Sequence, residues 1–181
     1  ENFQFRFHSQ LDYILAEISS GEFGQIRNIR SSFGFPPFQD KSNIRYNKEL
    51  GGGSLLDAGA YPIKVTQIIL GSDLEVESSC LHFDPKIGVD IYGSAALRSV
   101  GKNVVSHIAF GFDNFYQNNL EIWMQRGFIR ANRIFTAGPG VVANVDVYNE
   151  HGHSVKTFSG ENHFLNMLDH FSRLIAGGAS H

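Results

Sequence analysis

Gly51-Gly52-Gly53-Ser54-Leu55-Leu56-Asp57-Ala58-Gly59-Ala60-Tyr61-Pro62-Ile63 is the stretch from which the rest of the chain can be read. Three successive glycines make a backbone that can take positive φ and let another segment come close. A helical segment to Leu70 follows at once. Ser54 and Asp57 have capping-box spacing, which puts the helix start at the end of the glycine run. Pro62 has no N–H to donate and predicts a kink or a split about two turns in. Asp57 and Tyr61 lie four apart, so a helical turn places them on one face. A carboxylate beside a phenol in a cleft can transfer protons if a nearby cation or hydrogen bond lowers the phenol pKa. The same residues allow a plainer reading. Asp57 can be only part of a cap, and Tyr61 only a core aromatic with a satisfied hydroxyl.

Upstream lies a loop, Gly34 to Leu50, with Pro36 and Pro37 and no clear period. Before it, Gln25 to Phe33 reads as a strand whose larger apolar residues are Ile26, Ile29 and Phe33. Ser9 opens a capping box with Asp12, and Leu11, Ile14, Leu15 and Ile18 form a helical stripe that Gly21 ends. Phe3 to Phe7 alternate like a short strand.

Downstream the period changes to two. Segments 75–83, 88–98, 103–112, 117–125, 127–135 and 141–149 are β-rich and separated by turn residues. Short intervals without helices imply antiparallel neighbours. Asn149-Glu150-His151-Gly152 reads as a hairpin turn. A last helix spans about Glu161 to Ala176, with Phe164, Leu168, Phe171 and Ile175 as its expected buried stripe and Gly177 and Gly178 as its stop. The order predicts one α+β domain over residues 1–181: a large, mainly antiparallel open sheet with helices packed on one face. The other face is expected to meet a partner, given the aromatics Phe110, Phe112, Phe115, Tyr116, Trp123 and Phe128.

Composition narrows the classes. The chain has 181 residues, 15 Lys and Arg against 18 Asp and Glu, and a net charge of -3. The basic residues are scattered, which argues against nucleic acid or an anionic membrane as partner. No apolar run approaches the ~18 residues needed to span a bilayer. The single Cys80 cannot form an internal disulfide, so a cytoplasmic location is expected. Cys80 itself reads as inert packing in a strand. Aromatics make up 13% and charged residues only 18%, which suits a domain whose faces meet something. His151, His153, His163 and Asp169 lack the fixed spacing of a metal site, and no metal is expected. Gly138-Pro139-Gly140-Val141-Val142-Ala143 nominally fits a dinucleotide fingerprint, but its β-branched continuation reads as a turn before a strand.

Residues 51–63 resemble the GGG-x-L-x-D-x-G-x-[YH] signature of the Gfo/Idh/MocA oxidoreductases. Phe5-Arg6-Phe7-His8-Ser9-Gln10 resembles that family's [YF]-R-[FHY]-x-P-Q segment, with Ser9 where Pro is common. The Gly21 to Gly24 passage resembles its G-x-[IL]-G. The resemblance implies the C-terminal half of a two-domain enzyme, with an N-terminal Rossmann domain outside this chain that binds NAD or NADP. It implies hydride transfer between nicotinamide and a sugar-like carbinol or ketone, and no turnover by this half alone, since the family's Glu-Lys-Pro lysine does not occur in this sequence. By position Asp57 and Tyr61 would be the catalytic pair. Arg6, His8 and Arg45 would bind the substrate, although structural hydrogen bonds would explain each of the three as well. Cofactor-binding residues in this chain are not identified. Oligomerisation through the open sheet face is also implied. The alternative is a non-catalytic binding or dimerisation module built on that face.

Overall fold

Alternation of apolar and polar residues sorts each strand into two faces, and the computed structural model of the chain, which describes residues 2–177, shows where they go. The strands are β1 (Ile26–Gly34), β2 (Leu74–Phe83), β3 (Asp90–Ser99), β4 (Val104–Gly111), β5 (Gln117–Met124), β6 (Gly127–Ala131), β7 (Ala143–Asn149) and β8 (Gly152–Phe158). They form one sheet in the order β2-β3-β4-β1-β5-β6-β7-β8. β1 runs parallel to β4, and the other pairings are antiparallel. Ile29 and Phe33 of β1, Ile108 and Phe110 of β4, Leu120 and Ile122 of β5 and Val145 and Val147 of β7 point to one side and are buried. Helices α1 (Ser9–Ser19) and α2 (Ala60–Leu70) cover that side with Leu11, Ile14, Val65 and Ile69 in the same core. This is the predicted α+β architecture. Among the described residues no helix is long and apolar enough to cross a membrane.

Several local expectations are corrected. Phe3 to Phe7 is not a strand: Gln4–Phe7 forms a 3₁₀ turn, because Phe5 is drawn wholly into an aromatic cluster with Phe3, Tyr61 and Phe135 and no strand lies alongside. The capping box at Ser9 does not form. His8 is the cap, its Nδ1 accepting from the Gln10 N–H at 3.2 Å, while Ser9 donates from both N and Oγ to Glu161. Pro62 does not break the helix. Helical turns run on from Ser54 to Leu70, and the irregularity is local, a π-helical turn over Leu55–Gly59 just ahead of the residue that has no N–H to donate. The hairpin at Asn149 to Gly152 forms, and its second strand is β8, an exposed edge strand. Cys80 is exposed rather than packed.

Two corrections concern surfaces. Helix α3 (His163–Ile175) lies outside the sheet, against the Gln4–Phe7 turn. Its stripe of Phe164, Leu168, Phe171 and Ile175 is exposed, not buried. Gly178, the expected second stop residue, lies outside the described residues. Of the aromatics expected on the open face, Phe110 and Phe112 are buried, and Phe115 sits exposed between strands. Trp123 and Phe128 do lie on the open face, opposite each other, in a cross-strand row that continues with Tyr148 opposite Phe128 and His153 opposite Tyr148.

Candidate functional site

The glycine run works by close approach. Gly51, at φ 74°, ends the 3₁₀ turn Lys48–Leu50. The Gly52 N–H donates to Asn47 O and the Gly53 N–H to Arg45 O at 3.0 Å, so the run is stitched to the preceding loop. A Cβ on Gly52 would lie 2.5 Å from Arg45 O, and one on Gly53 2.2 Å from Asp90 Oδ1. Only glycine fits either place.

Asp90, the first residue of β3, then anchors the helix start. Its Oδ2 accepts from Ser54 Oγ at 2.7 Å and from the Leu55 N–H at 2.6 Å. An acid from another strand thus does the capping that the Ser54–Asp57 spacing had suggested, which leaves Asp57 free to face outward. Gly59 lets the π-helical turn lie directly on the sheet, since a Cβ there would meet the Phe110 ring at 3.0 Å. The extra residue of a π-helical turn re-aims the side chains it carries, and such turns recur at functional sites.

Asp57 on this turn meets Arg45, whose Nε donates to Asp57 Oδ2 at 2.6 Å. Arg45 is 34% and Asp57 24% exposed, so the pair is held yet reachable by a ligand. The Arg45 guanidinium lies over the Phe38 ring at 4.8 Å, and its backbone N–H donates to Asn43 Oδ1. Loop, glycine run and π-helical turn therefore fix this one ion pair from three directions. One turn on, the Tyr61 ring packs against Phe3, Phe5, Phe33 and Phe135 at centroid distances of 5.5, 5.9, 5.1 and 5.8 Å. Its hydroxyl donates to Gln4 Oε1 at 3.3 Å. Tyr61 is half-buried, with the ring seated in the core. Four rings fix the phenol in place and its polar end meets the Gln4–Phe7 turn. A guanidinium–carboxylate pair and a positioned phenol can together orient a hydroxyl or carbonyl and exchange a proton with it.

The other predicted site residues lie elsewhere. Arg6 is exposed, over the Phe7 ring, and lines a cleft against α3 rather than the space beside Asp57. His8 is 1% exposed and its Nδ1 is taken by the Gln10 N–H. Its ring packs against His163 and Phe158. Burial pushes its pKa down, with the Glu161 carboxylate pulling the other way. That leaves His8 a capping and packing role and no surface for a substrate. Asp90 and Gln4 were not foreseen. The one sequence signal for Asp90 is an acid set between Val89 and Ile91 at a strand start; Gln4 has none. His153 pairs with Asp146 and stacks on Tyr148, whereas His163, the first residue of α3, is buried. Among the described residues no group of three or more His, Cys, Asp or Glu is placed to hold a metal ion.

Comparison with known proteins gives this geometry a family. The GFO/IDH/MocA C-terminal domain matches residues 13–130. The dTDP-3,4-didehydro-2,6-dideoxy-alpha-D-glucose 3-reductase of Saccharopolyspora spinosa is 40% identical over 136 residues, which are 75% of this chain and 40% of the relative. The crystal structure of KijD10, a 3-ketoreductase from Actinomadura kijaniata in complex with NADP and TDP-benzene, aligns with a TM-score of 0.92 at 29% identity, covering 100% of this chain and 55% of that one. D-xylose 1-dehydrogenase (NADP(+)) 2 of Haloferax volcanii is 24% identical over 178 residues, 98% of this chain and 54% of the relative. The chain spans about half the length of the relatives it matches. The match over residues 13–130 and the 40% identity across 75% of the chain show that it belongs to the GFO/IDH/MocA family, as a C-terminal domain.

Proposed function

We propose that this chain is the substrate-binding half of an NAD(P)-dependent oxidoreductase that moves a hydride between nicotinamide and a sugar or sugar-nucleotide carbinol or ketone. The observation that carries the reading is the outward-facing Arg45–Asp57 pair, held by the glycine run, one helical turn from the Tyr61 hydroxyl, which four rings and Gln4 position. The relatives support the substrate class, since they include dTDP-sugar 3-reductases and a xylose dehydrogenase.

The residues present do not fit the dinucleotide. Residues 138–142 form a turn leading into β7, with Val141 N–H donating to Gly138 O, and no helix opens there to receive a pyrophosphate. On this reading an N-terminal Rossmann domain would hold the cofactor, which would take a hydride from a carbinol or give one to a ketone. In this half, Arg45 and Asp57 orient the substrate hydroxyls, and the Tyr61 hydroxyl exchanges a proton with the reacting oxygen. Arg6 and His8 take no part in that step. A cytoplasmic enzyme suits the single exposed thiol, Cys80, which a reducing compartment leaves unpaired.

The test is turnover of the intact enzyme on a panel of sugars and sugar nucleotides with NADH and NADPH, comparing Tyr61→Phe with the parent. We expect kcat to fall by roughly 10²–10⁴-fold, the range for losing a general acid–base group, with an unchanged melting temperature. An unchanged kcat would remove Tyr61 from the chemistry.

A second reading, self-association through the open sheet face, rests on a specific pattern. Beside the row Trp123, Phe128, Tyr148 and His153 runs a second row, in which Arg30 faces Glu121, Glu121 faces Arg130 and Arg130 faces Asp146. Aromatics with Arg are what interface cores enrich, and alternating charge lets a face complement a second copy of itself. Trp123→Asp should then lower the sedimenting mass while leaving the fold intact; an unchanged mass would count against it.

A further inference from the structure

We propose that the exposed apolar stripe of α3 is the seat of the nucleotide-binding domain of the same polypeptide, and that this seating braces the turn that holds Tyr61. The proposal rests on the reading that such a domain precedes this chain.

The stripe itself is the first observation. Phe164, Leu168, Phe171 and Ile175 recur at i, i+4, i+7 and i+11 and are 47%, 53%, 59% and 73% exposed, with Leu165 beside them at 61%. On another part of the helix Asp169 and Arg173 form an i,i+4 ion pair. An amphipathic helix with so large an uncovered face marks an interaction surface. It is also firmly mounted. Asn162 caps it, its first residue His163 is buried, Asn166 Nδ2 donates to Phe7 O and Glu161 accepts from Ser9. The exposure is therefore not that of a frayed terminal helix.

The second observation is where the face opens. A cleft of about 370 Å³ separates α3 from Asn2, Arg6 and Phe7, lined on the helix side by Met167, Leu168 and Phe171 among others. Those N-terminal residues are the path by which any preceding domain joins this one. The matching family model is a C-terminal domain, which is the reason for looking on that side, and coverage of 55% of KijD10 leaves length for a further domain. A domain arriving through Asn2 meets α3 first.

The third observation ties the surface to the site. The Gln4–Phe7 turn touches both regions: Phe7 packs on His170 of α3 at 5.2 Å, and Gln4 Oε1 accepts from the Tyr61 hydroxyl. A partner covering α3 presses on the element that positions the phenol, so docking and catalytic geometry share one short turn.

The experiment is hydroxyl-radical footprinting of the intact polypeptide, read by mass spectrometry. Phe115, 88% exposed on a loop between strands, is the internal standard. We expect Phe164 and Phe171 to be oxidised several-fold less, relative to Phe115, than their exposures of 47% and 59% against 88% would give, at concentrations where sedimentation gives an unchanged mass for Leu168→Glu. The paired variant Leu168→Glu/Phe171→Glu should restore their neighbours' oxidation and lower kcat without altering the sheet's far-ultraviolet dichroism. Oxidation of the stripe in proportion to those exposures would overturn the proposal. A loss of mass on Leu168→Glu would overturn it too, by assigning the face to a second copy. Neither footprint depends on turnover, so failure of Tyr61→Phe to affect kcat would strike the catalytic reading and leave this one standing.

Discussion

Helices α1 and α3 carry the same kind of pattern and meet opposite fates. Leu11 and Ile14 of α1 are buried in the main core, with Leu15 and Ile18 packed against it. The larger residues of α3, Phe164, Leu168, Phe171 and Ile175, are exposed. Helical periodicity states that one side seeks cover. It does not state that the cover comes from the same domain. In α1 the sheet supplies it; in α3 the sheet is out of reach, and the helix touches mainly the Gln4–Phe7 turn.

That contrast can be broken or sharpened by measurement. The largest effect is expected at the buried end. Ile14→Ala should destabilise the chain by about 2–5 kcal/mol, the range for truncating a fully buried aliphatic side chain, read as a lower urea midpoint. A shift under about 0.5 kcal/mol, the usual surface range, would mean α1 is not seated as described. Asp90→Ala comes next. Losing the carboxylate that accepts from Ser54 and Leu55 should cost about 0.5–2 kcal/mol, as for a helix cap. It should also raise KM in the intact enzyme, because Arg45 and Asp57 hang on the same glycine run.

The base of α3 gives a pH-dependent test. Burial lowers the pKa of both His8 and His163. At His163 the neighbouring His8 lowers it further, and the nearby Glu161 partly opposes the shift at both. Asp12 shares this corner, its pKa raised by burial and by Glu161. A lowered folded pKa means the unfolded chain binds more protons between the folded and unfolded values. Stability should therefore be full above the ordinary histidine pKa of about 6.5 and fall as pH drops below it. His8→Asn, which keeps a side-chain acceptor for the cap, should flatten that fall. An unaltered slope would show that the buried histidines do not govern it. The smallest effect is expected at Leu168→Ala, within about 0.5 kcal/mol in this chain, as for an exposed position. A loss like that of Ile14→Ala would show that the chain itself covers the stripe.

The strands from 75 to 149 were legible because half-buried strands alternate, and their turns carry Gly, Asn and Asp. The glycine run was legible as a place of close approach, and Asp57, Tyr61 and Arg45 all stand on or beside it. Phe3 to Phe7 misled because a short aromatic segment fits a strand and a 3₁₀ turn equally well until a neighbour decides. Ser9 and Ser54 misled for a related reason. A hydroxyl with an acid three residues on is a local capping signal, yet Glu161 and Asp90 reach both serines from distant parts of the chain. For the π-helical turn at Leu55–Gly59 the sequence offered only Pro62, which marks an irregularity but not its kind; Gly59 against Phe110 and Asp90 on Leu55 hold that turn on the sheet.

The sequence by itself determined the α+β class, the run of antiparallel strands and the segment that bears the candidate site, since periodicity and glycine placement are local properties of the chain. Only the tertiary structure decided which acid caps the helix, that Arg45 holds Asp57, that His8 lies buried and that α3 faces outward. Those outcomes depend on which distant side chains arrive within hydrogen-bond reach and on where the sheet's covering layer ends.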